Sequence, residues 1–273
     1  MKAYVPLHRK DLPVLPAVLQ GLRANTGVKD VVVMAAKSLW PRVRRLGVSF
    51  VDEDQVVDGV RHDSVSHPRW GWYFQQIIKL GVAWMETEDY YLCLDADTVF
   101  LNPVEFFAPD GAPLLTEAWE MNPAYFDTFH RLLGFEADRQ CSFIAHHMVF
   151  DGRRVREMCM AFRPHTPWWA NIVDCVQPRP PWNSGSQFSE FETYGHYLKA
   201  VHPEEARTRR LRWRNVDVLP SRRVIRRLQK DYDMCGFQAY LREERRLSRP
   251  WRVWLARVKR AALRLAGRAG GRP

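Results

Sequence analysis

The sequence predicts an α/β fold in which helices flank a mostly parallel, doubly wound sheet, followed by a basic helical C-terminal tail. Short apolar runs rich in β-branched residues alternate with segments of helical spacing through about the first two hundred residues. Hydrophobic residues make up 46% of the 273-residue chain, which is ample for a sizeable core. Positive charge is concentrated at the end, since residues 1–206 have a net charge of −6 and residues 207–273 one of +16. The elements of the sheet can be followed in order.

The N-terminal segments predict a β-α-β unit and one further strand. AYVPL is short and apolar, LPVLPAVLQGLRAN has helical spacing after Asp11, and VKDVVVMAA is β-branched and bounded by charge. VSFVDED then forms a strand that ends in acidic residues. A polar loop from Gln55 to Arg69 leads to the helix GWYFQQIIKLGVAWM.

The middle of the chain continues the alternation. In YYLCLDADTVFLNPV, residues 90 to 104, an apolar strand runs directly into two aspartates. Next come the strand APLLTEAWE, a helix from Tyr125 to Leu133, the strand SFIAHHMVFD and the helix GRRVREMCMAF. A region from Arg163 to Ser189 rich in Pro, Trp and Ser predicts a structured loop, and FSEFETYGHYLKAV predicts a helix with Ser189 as N-cap.

The two aspartates, Asp95 and Asp97, lie where an open parallel sheet binds ligands, beyond the carboxyl end of a strand. Two unpaired carboxylates at this distance repel each other. A hard divalent cation such as Mg²⁺ or Mn²⁺ removes that repulsion and can bridge the protein to a diphosphate. The alternative is a solvated turn closed by Asn102 and Pro103.

A second enzyme class also fits an apolar strand followed by D-x-D-x-V. This pattern matches the nucleophile motif of haloacid-dehalogenase-type phosphatases, in which the first aspartate attacks phosphorus. That fold normally carries the motif on its first strand and needs a later acidic pair for magnesium. No such pair follows Asp97 in this sequence.

Four stretches of the chain together resemble the GT-A-fold glycosyltransferases. They are YVPLHRKDLPVLPAVLQGL, WYFQQIIKL, LCLDADTVFLNP and SEFETYGHYL, and they span about residues 4 to 202. The likeness is closer to a group of bacterial transferase-like proteins linked to surface polysaccharide synthesis. It implies a GT-A-like, Rossmann-type domain over 1–235, with a nucleotide-binding half to about residue 104 and an acceptor half from about 105. Residues 236–273 remain as a basic amphipathic helical tail.

The resemblance also implies roles for particular residues. Asp95 and Asp97 would hold the metal, with a late histidine, His202, as third ligand and His196 as its alternative. Glu190, near the start of a helix, would be the general base if the reaction inverts the anomeric centre, with Glu192 as the runner-up. The expected donor-binding residues are Pro6, His8, Lys10, Asp11, Gln75, Gln76, Lys79, Asp95 and Ala96.

The roles expected for Lys79 and for the pair His146 and His147 leave alternatives open. Lys79 either neutralises the donor diphosphate or forms a salt bridge with a nearby acid. His146 and His147 alternate along a predicted strand, so one is expected to line the acceptor cleft and the other to pack. Trp182, with Trp168 and Trp169, is the candidate aromatic surface for an acceptor sugar.

The implied activity is transfer of a sugar from a nucleotide-sugar donor to a hydroxyl of a glycan or lipid-linked acceptor, with Mn²⁺ or Mg²⁺ as cofactor. In the tail, Trp251 and Trp254 with interleaved arginines predict contact with an anionic membrane surface. The alternative class of function is a non-enzymatic nucleic-acid-binding protein that acts through the basic tail. It would leave the carboxylate pair unused, and no nucleic-acid-binding motif is present, so a nucleic-acid partner is not expected.

Compartment and cysteine chemistry follow from smaller signals. No run of about 18 apolar residues occurs, and charge appears early in MKAYVPLHRKDL. We therefore expect a cytoplasmic protein, peripheral on the inner face of the membrane. The five cysteines contain no C-x-x-C and are expected to be free thiols.

Overall fold

The computed structural model describes residues 1–163, 167–176 and 185–245. Its central sheet has five strands: β1 (Lys2–Pro6), β2 (Val31–Ala35), β3 (Ser49–Asp52), β4 (Tyr90–Leu94) and, later in the chain, β7 (His147–Asp151). The strand order is β3-β2-β1-β4-β7. All neighbours are parallel except β4 and β7, which are antiparallel. The predicted α/β fold with a mostly parallel sheet is confirmed.

Eight α-helices occur within the described ranges. They are α1 (Leu15–Asn25), α2 (Trp40–Val43), α3 (Trp70–Gly81), α4 (Pro123–Leu133), α5 (Gly152–Met160), α6 (Trp168–Cys175), α7 (Glu190–Val201) and α8 (Arg222–Leu228). Side-chain caps fix several of the starts, since the Asn122 carboxamide accepts from the backbone N–H of Ala124 and the Ser189 hydroxyl from that of Glu192. In the parts that the structure describes, no helix is both long and apolar enough to cross a bilayer.

The sheet separates two hydrophobic cores. Side chains alternate along β4, so Tyr91 and Cys93 pack with helices α3 to α7, whereas Leu92 and Leu94 pack with α1 on the other face. Strands buried on both faces in this way are apolar throughout, as the sequence shows for VVVMA and YYLCL.

Two smaller sheets were not predicted. One has the order β5-β10-β9, made of Thr98–Phe100, Met234–Gly236 and Trp213–Asn215, and the other pairs β6 (Leu114–Glu117) with β8 (Arg207–Arg210). The strands β8 and β9 contain arginines, and β10 has only three residues, so none of them shows apolar alternation. The domain was expected to end at residue 235, but β10 spans that residue. The boundary between the domain and the tail stays a prediction. Trp251 and Trp254 lie outside the described residues.

The strand predicted for SFIAHHMVFD is shorter than expected. It begins only at His147, because His146 adopts a left-handed backbone conformation with φ of 62°. Its carbonyl oxygen accepts a hydrogen bond from the backbone N–H of Asp95 at 2.9 Å. The interruption of β7 therefore places His146 beside the acidic turn that follows β4.

Candidate functional site

The Asp95–Asp97 turn follows directly on β4 and is fixed by its backbone. Thr98 N donates to Asp95 O at 3.0 Å, which closes the turn, and Phe237 N donates to Asp97 O at 2.8 Å. The Asp95 side chain is 30% exposed, whereas Asp97 is 8% exposed. Both carboxylates lie at the wall of a cavity of about 560 Å³.

Most of the residues predicted from the sequence line this one cavity. They come from the segment after β1, from α3, from the acidic turn, from the residue before β7 and from the start of α7. They are Pro6, Lys10, Asp11, Gln75, Gln76, Lys79, Asp95, Ala96, Asp97, His146 and Glu190.

Both oxygens of Asp95 have partners. Lys79 Nζ is 2.6 Å from Asp95 Oδ1, and His146 Nδ1 is 3.1 Å from Asp95 Oδ2. Burial opposes ionisation of Asp95, but the Lys79 charge and the His146 contact outweigh it and hold the pKa of this carboxyl well below its usual range. Burial likewise disfavours a charged His146, yet Asp95 raises its pKa above the ordinary value. Asp95 is therefore an ionised carboxylate balanced by neighbouring positive charge.

Lys79 connects Asp95 to Glu190. Its Nζ is also 2.6 Å from Glu190 Oε1 and lies 4.2 Å from the centre of the Phe191 ring. Burial alone would lower the pKa of Lys79, but the two carboxylates raise it above its usual value. Of the two roles left open for Lys79, the salt bridge to nearby acids is thus observed.

Glu190 is held at the first position of α7. Its backbone N–H donates to Gln76 Oε1 at 3.1 Å, and its side chain is 3% exposed. Burial raises the pKa of Glu190, the charge of Asp95 adds to that increase, and Lys79 opposes it. A carboxyl group that is fixed in place, and whose pKa is raised above its usual value, suits a proton acceptor.

Asp97 differs from Asp95, because its side chain has no protein partner. Asp97 Oδ1 is fully buried and makes no hydrogen bond, and the same is true of Asp11 Oδ1 and His146 Nε2 in the same cavity wall. Burial and the charge of Asp95 raise the pKa of Asp97 to about 7. Buried polar atoms normally have a hydrogen-bond partner, and the carboxylate oxygens of Asp97 and Asp11 are the kind of ligand that a hard divalent cation prefers.

A second cavity adjoins the first. It has a volume of about 880 Å³ and is lined by His8 and by residues that follow β1, β2 and β3. Lys10, Arg69, Trp72 and Gln75 line both cavities, so they mark the place where the two meet. His8 therefore lies at the carboxyl ends of the parallel strands, but outside the cavity that contains Asp97.

Two residues of the predicted set are buried behind the cavity wall. The Glu192 carboxylate accepts hydrogen bonds from Ser142 Oγ at 3.0 Å and from Phe143 N at 2.6 Å. The His147 ring lies 3.2 Å from Thr116 Oγ1, and burial together with Arg209 lowers its pKa to about 3. His146 thus lines the cavity and His147 packs, which is the division expected of the pair.

The predicted late histidine and the tryptophans lie elsewhere. His202 Nε2 is 2.7 Å from Glu157 Oε1, and neither His202 nor the buried His196 lines the cavity. Trp168 stacks on Trp84 with ring centres 5.2 Å apart. Trp169 donates from Nε1 to the carbonyl of Asp58 at 3.1 Å, and Trp182 lies outside the described residues.

Several lining residues were not predicted from the sequence. They are Arg69, Trp72, Glu120, Asn122, Tyr125, Ile144, Ser186, Ser189, Phe191, Asn215, Gln238 and Tyr240. Arg69 and Trp72 lie at the start of the helix that carries Gln75, so the helical repeat could have indicated them. Asn215 is the last residue of β9, and Gln238 and Tyr240 follow β10. No sequence pattern connects these three residues to Asp97.

The fold and the site define an α/β protein with an acidic cavity at the carboxyl ends of parallel strands. The chain belongs to the family of unknown function DUF6492, whose model matches residues 28–220. No curated protein sequence matches the chain significantly.

All five cysteines are free thiols, as expected.

Solved structures similar to this chain include three glycosyltransferases. Mouse xyloside xylosyltransferase 1 in its apo form is 10% identical, with a TM-score of 0.48 over 86% of this chain and 96% of that chain. An active-site mutant of LgtC is 11% identical, with a TM-score of 0.45 over 87% of both chains. The bifunctional enzyme WbbM is 11% identical, with a TM-score of 0.46 over 87% of this chain and 45% of its own.

Proposed function

We propose that this protein is a glycosyltransferase that moves a sugar from a nucleotide-sugar donor to a hydroxyl of a glycan or lipid-linked acceptor. The observation that carries the proposal is the meeting of Asp97, Lys79 and Glu190 in one cavity. An acid without a protein partner, a buried cation and a fixed carboxylate are the groups needed to bind a diphosphate and to accept a proton.

Asp95 and Asp97 are the residues that would hold a divalent cation, Mn²⁺ or Mg²⁺. The unpartnered Asp97 Oδ1 supports this assignment, and His146 Nε2, also unpartnered, is better placed than His202 to add a ligand. When bound, such a cation supplies Lewis-acid stabilisation of the negative charge that develops on a departing diphosphate. His202 remains a predicted third ligand that the cavity geometry does not favour.

The donor would occupy both cavities. The larger one, with His8 and Lys10, has the volume for a nucleoside, and the diphosphate would then lie between Lys10, Gln75 and the acidic turn. Lys79 contributes positive charge directly behind Asp95. Pro6, Asp11, Gln76 and Ala96 complete this wall.

Glu190 would accept the proton of the attacking hydroxyl. Lys79 holds one carboxylate oxygen and Gln76 the backbone N–H, so Glu190 is fixed at the cavity wall and would lose little side-chain entropy on reaction. Glu192 is the weaker candidate, because one of its oxygens is engaged by Ser142 and Phe143 behind the wall.

The cellular setting is part of the proposal. Synthesis of a bacterial surface polysaccharide on the inner face of the membrane fits a basic C-terminal segment, which would contact anionic lipid. Co-sedimentation of the full-length protein and a protein truncated after residue 245 with phosphatidylglycerol vesicles tests this, since equal binding of both would contradict it.

A phosphatase of the haloacid-dehalogenase type is less well supported. That mechanism needs a later acidic pair for magnesium, and no such pair follows Asp97 in the sequence. The acidic turn also follows the fourth strand of the chain and not the first.

Thermal unfolding with UDP, GDP, dTDP or CMP, each with and without Mn²⁺, tests the proposal. At least one nucleotide should raise the melting temperature only when Mn²⁺ is present, because a ligand stabilises the state it binds. Asp97→Asn should abolish that rise, whereas Asp89→Asn, at an exposed aspartate outside the cavity, should preserve it. The absence of a metal-dependent rise with every nucleotide would refute the proposal.

A further inference from the structure

One tryptophan at the edge of the site is exposed for no reason that the fold supplies. Trp119 follows β6 and is 64% exposed, the largest value for a tryptophan among the described residues. A single exposed aromatic side chain on a protein surface needs no explanation by itself. The position and the orientation of Trp119 distinguish it.

The Trp119 ring is held in one orientation. Its ring centre is 4.3 Å from that of Trp213, with the two planes at 26°. Trp213 is only 5% exposed and packs edge-to-face with the His146 ring at a centre distance of 4.9 Å. The preceding residue, Ala118, donates its N–H to Ser142 O at 2.7 Å, which fixes the backbone. One face of the indole is therefore covered, and much of the ring remains open to solvent.

This aromatic stack adjoins the cavity wall through His146. His146, at its inner end, touches Asp95, and Glu120, the residue after Trp119, lines the cavity. Tyr240, which is 55% exposed, forms part of the same wall. Glu120 and Tyr240 line only the cavity that contains Asp97, so this rim is separate from the junction with the larger cavity.

The chemistry of the rim indicates its ligand. A rigid indole with one free face offers a large apolar surface at little cost in conformational entropy, and the apolar face of a pyranose ring is complementary to it. The neighbouring Glu120 carboxylate and Tyr240 hydroxyl can bind sugar hydroxyls. An anionic lipid or a charged sugar would be repelled by Glu120, so a neutral sugar fits best.

We propose that Trp119 and Tyr240 form a subsite for a neutral pyranose ring of the acceptor, with the ring stacked on the free face of Trp119. This inference rests on the proposed glycosyltransferase function, because it assigns the nucleotide to the other end of the site. It places the accepting sugar on the rim next to His146 and Glu120.

Saturation-transfer NMR of the full-length protein tests binding without any need for turnover. The probes are lactose, maltose and the methyl glycosides of glucose, galactose and mannose. Wild type should give a signal with at least one probe, and Trp119→Ala should lower the affinity at least about tenfold, while Trp119→Phe should keep most of it. Trp84→Ala is the matched control, because Trp84 is 45% exposed and stacked on another tryptophan, but neither of its neighbours in the sequence lines the cavity.

The outcomes separate this inference from the proposed function. Equal sugar binding by wild type and Trp119→Ala would overturn the subsite, as would a lack of binding to every probe by a wild-type protein that shows the nucleotide shift. Loss of the nucleotide shift in Trp119→Ala would also overturn it, since the ring would then belong to the donor. A wild-type protein that binds sugars through Trp119 without any nucleotide shift would support the subsite and refute the transferase.

Discussion

Replacing Asp97 or Asp95 by asparagine should change the stability of the cation-free protein in opposite directions, although the two residues belong to one motif. Asp97→Asn removes a buried carboxylate that has no partner. Burial and Asp95 raise the pKa of Asp97 to about 7, so at pH 8 this carboxyl is ionised at a higher free-energy cost in the folded protein than in the unfolded chain. A displacement of about 3 pKa units from an ordinary aspartate sets a ceiling of about 4 kcal/mol on the gain. We expect the free energy of unfolding to rise by about 1 to 4 kcal/mol.

Asp95→Asn has the opposite effect because it removes a partner. Lys79 then keeps only Glu190, and His146 loses the carboxylate at 3.1 Å. Breaking a fully buried ion pair costs about 3 to 5 kcal/mol. Because the Asp95 side chain is 30% exposed and Lys79 retains one carboxylate, we expect a smaller loss, of about 1 to 3 kcal/mol.

Urea unfolding at pH 8 in EDTA, followed by tryptophan fluorescence, measures both changes against wild type. Asp89→Asn, an exposed substitution outside the cavity, should leave stability within about 0.5 kcal/mol. Both cavity variants should also lose the Mn²⁺-dependent nucleotide shift. Destabilisation by Asp97→Asn of the same size as that by Asp95→Asn would refute the reasoning, since Asp97 would then have a partner in solution.

Three further substitutions test other parts of the structure. Burial alone would raise the pKa of Glu86, but hydrogen bonds from two β1 side chains lower it to about 2. Ionised Glu86 therefore stabilises the folded protein above about pH 4.5, and this contribution is lost as the pH falls toward 2. Glu86→Gln should therefore cost up to about 3 kcal/mol in urea unfolding at pH 7, and a difference from wild type that stays constant down to pH 2.5 would contradict this. Gly21→Ala should lower stability by about 1 to 3 kcal/mol in the same assay, because a Cβ there would lie 2.5 Å from the carbonyl oxygen of Phe100; an unchanged midpoint would exclude the clash. His202→Ala should leave Mn²⁺ affinity, measured by calorimetry, within about twofold of wild type, because His202 binds Glu157 outside the cavity; a tenfold loss would restore it as a ligand.

The sequence predicted the elements whose patterns are local. The apolar run of β4 ends at Asp95, the helical repeat of α3 carries Gln75 and Lys79, and Ser189 begins α7 one residue before Glu190. Each signal lies within about one element, where periodicity and capping determine the structure.

The features that the sequence did not predict are those that depend on contacts between distant segments. His146 was expected within a strand. Its backbone is left-handed and its side chain contacts Asp95, 51 residues away, so it is not part of β7. Arg209 lies in a strand that has no apolar alternation, and it is held by the Thr116 hydroxyl of the neighbouring strand. The partner of His202 could not be found from spacing either, since Glu157 is on another helix.

The most consequential of these distant contacts is the one made by Lys79. The resemblance to glycosyltransferases implied a metal-binding role for Asp95 and a role as base for Glu190, as two independent assignments. In the structure one buried lysine lies 2.6 Å from each, so the charge of either acid influences the other through a shared counter-ion. Removing one carboxylate leaves Lys79 with a partner, whereas removing both leaves a buried cation with neither. The energetic effects of the two acids therefore cannot be additive, and their roles have to be described as one network.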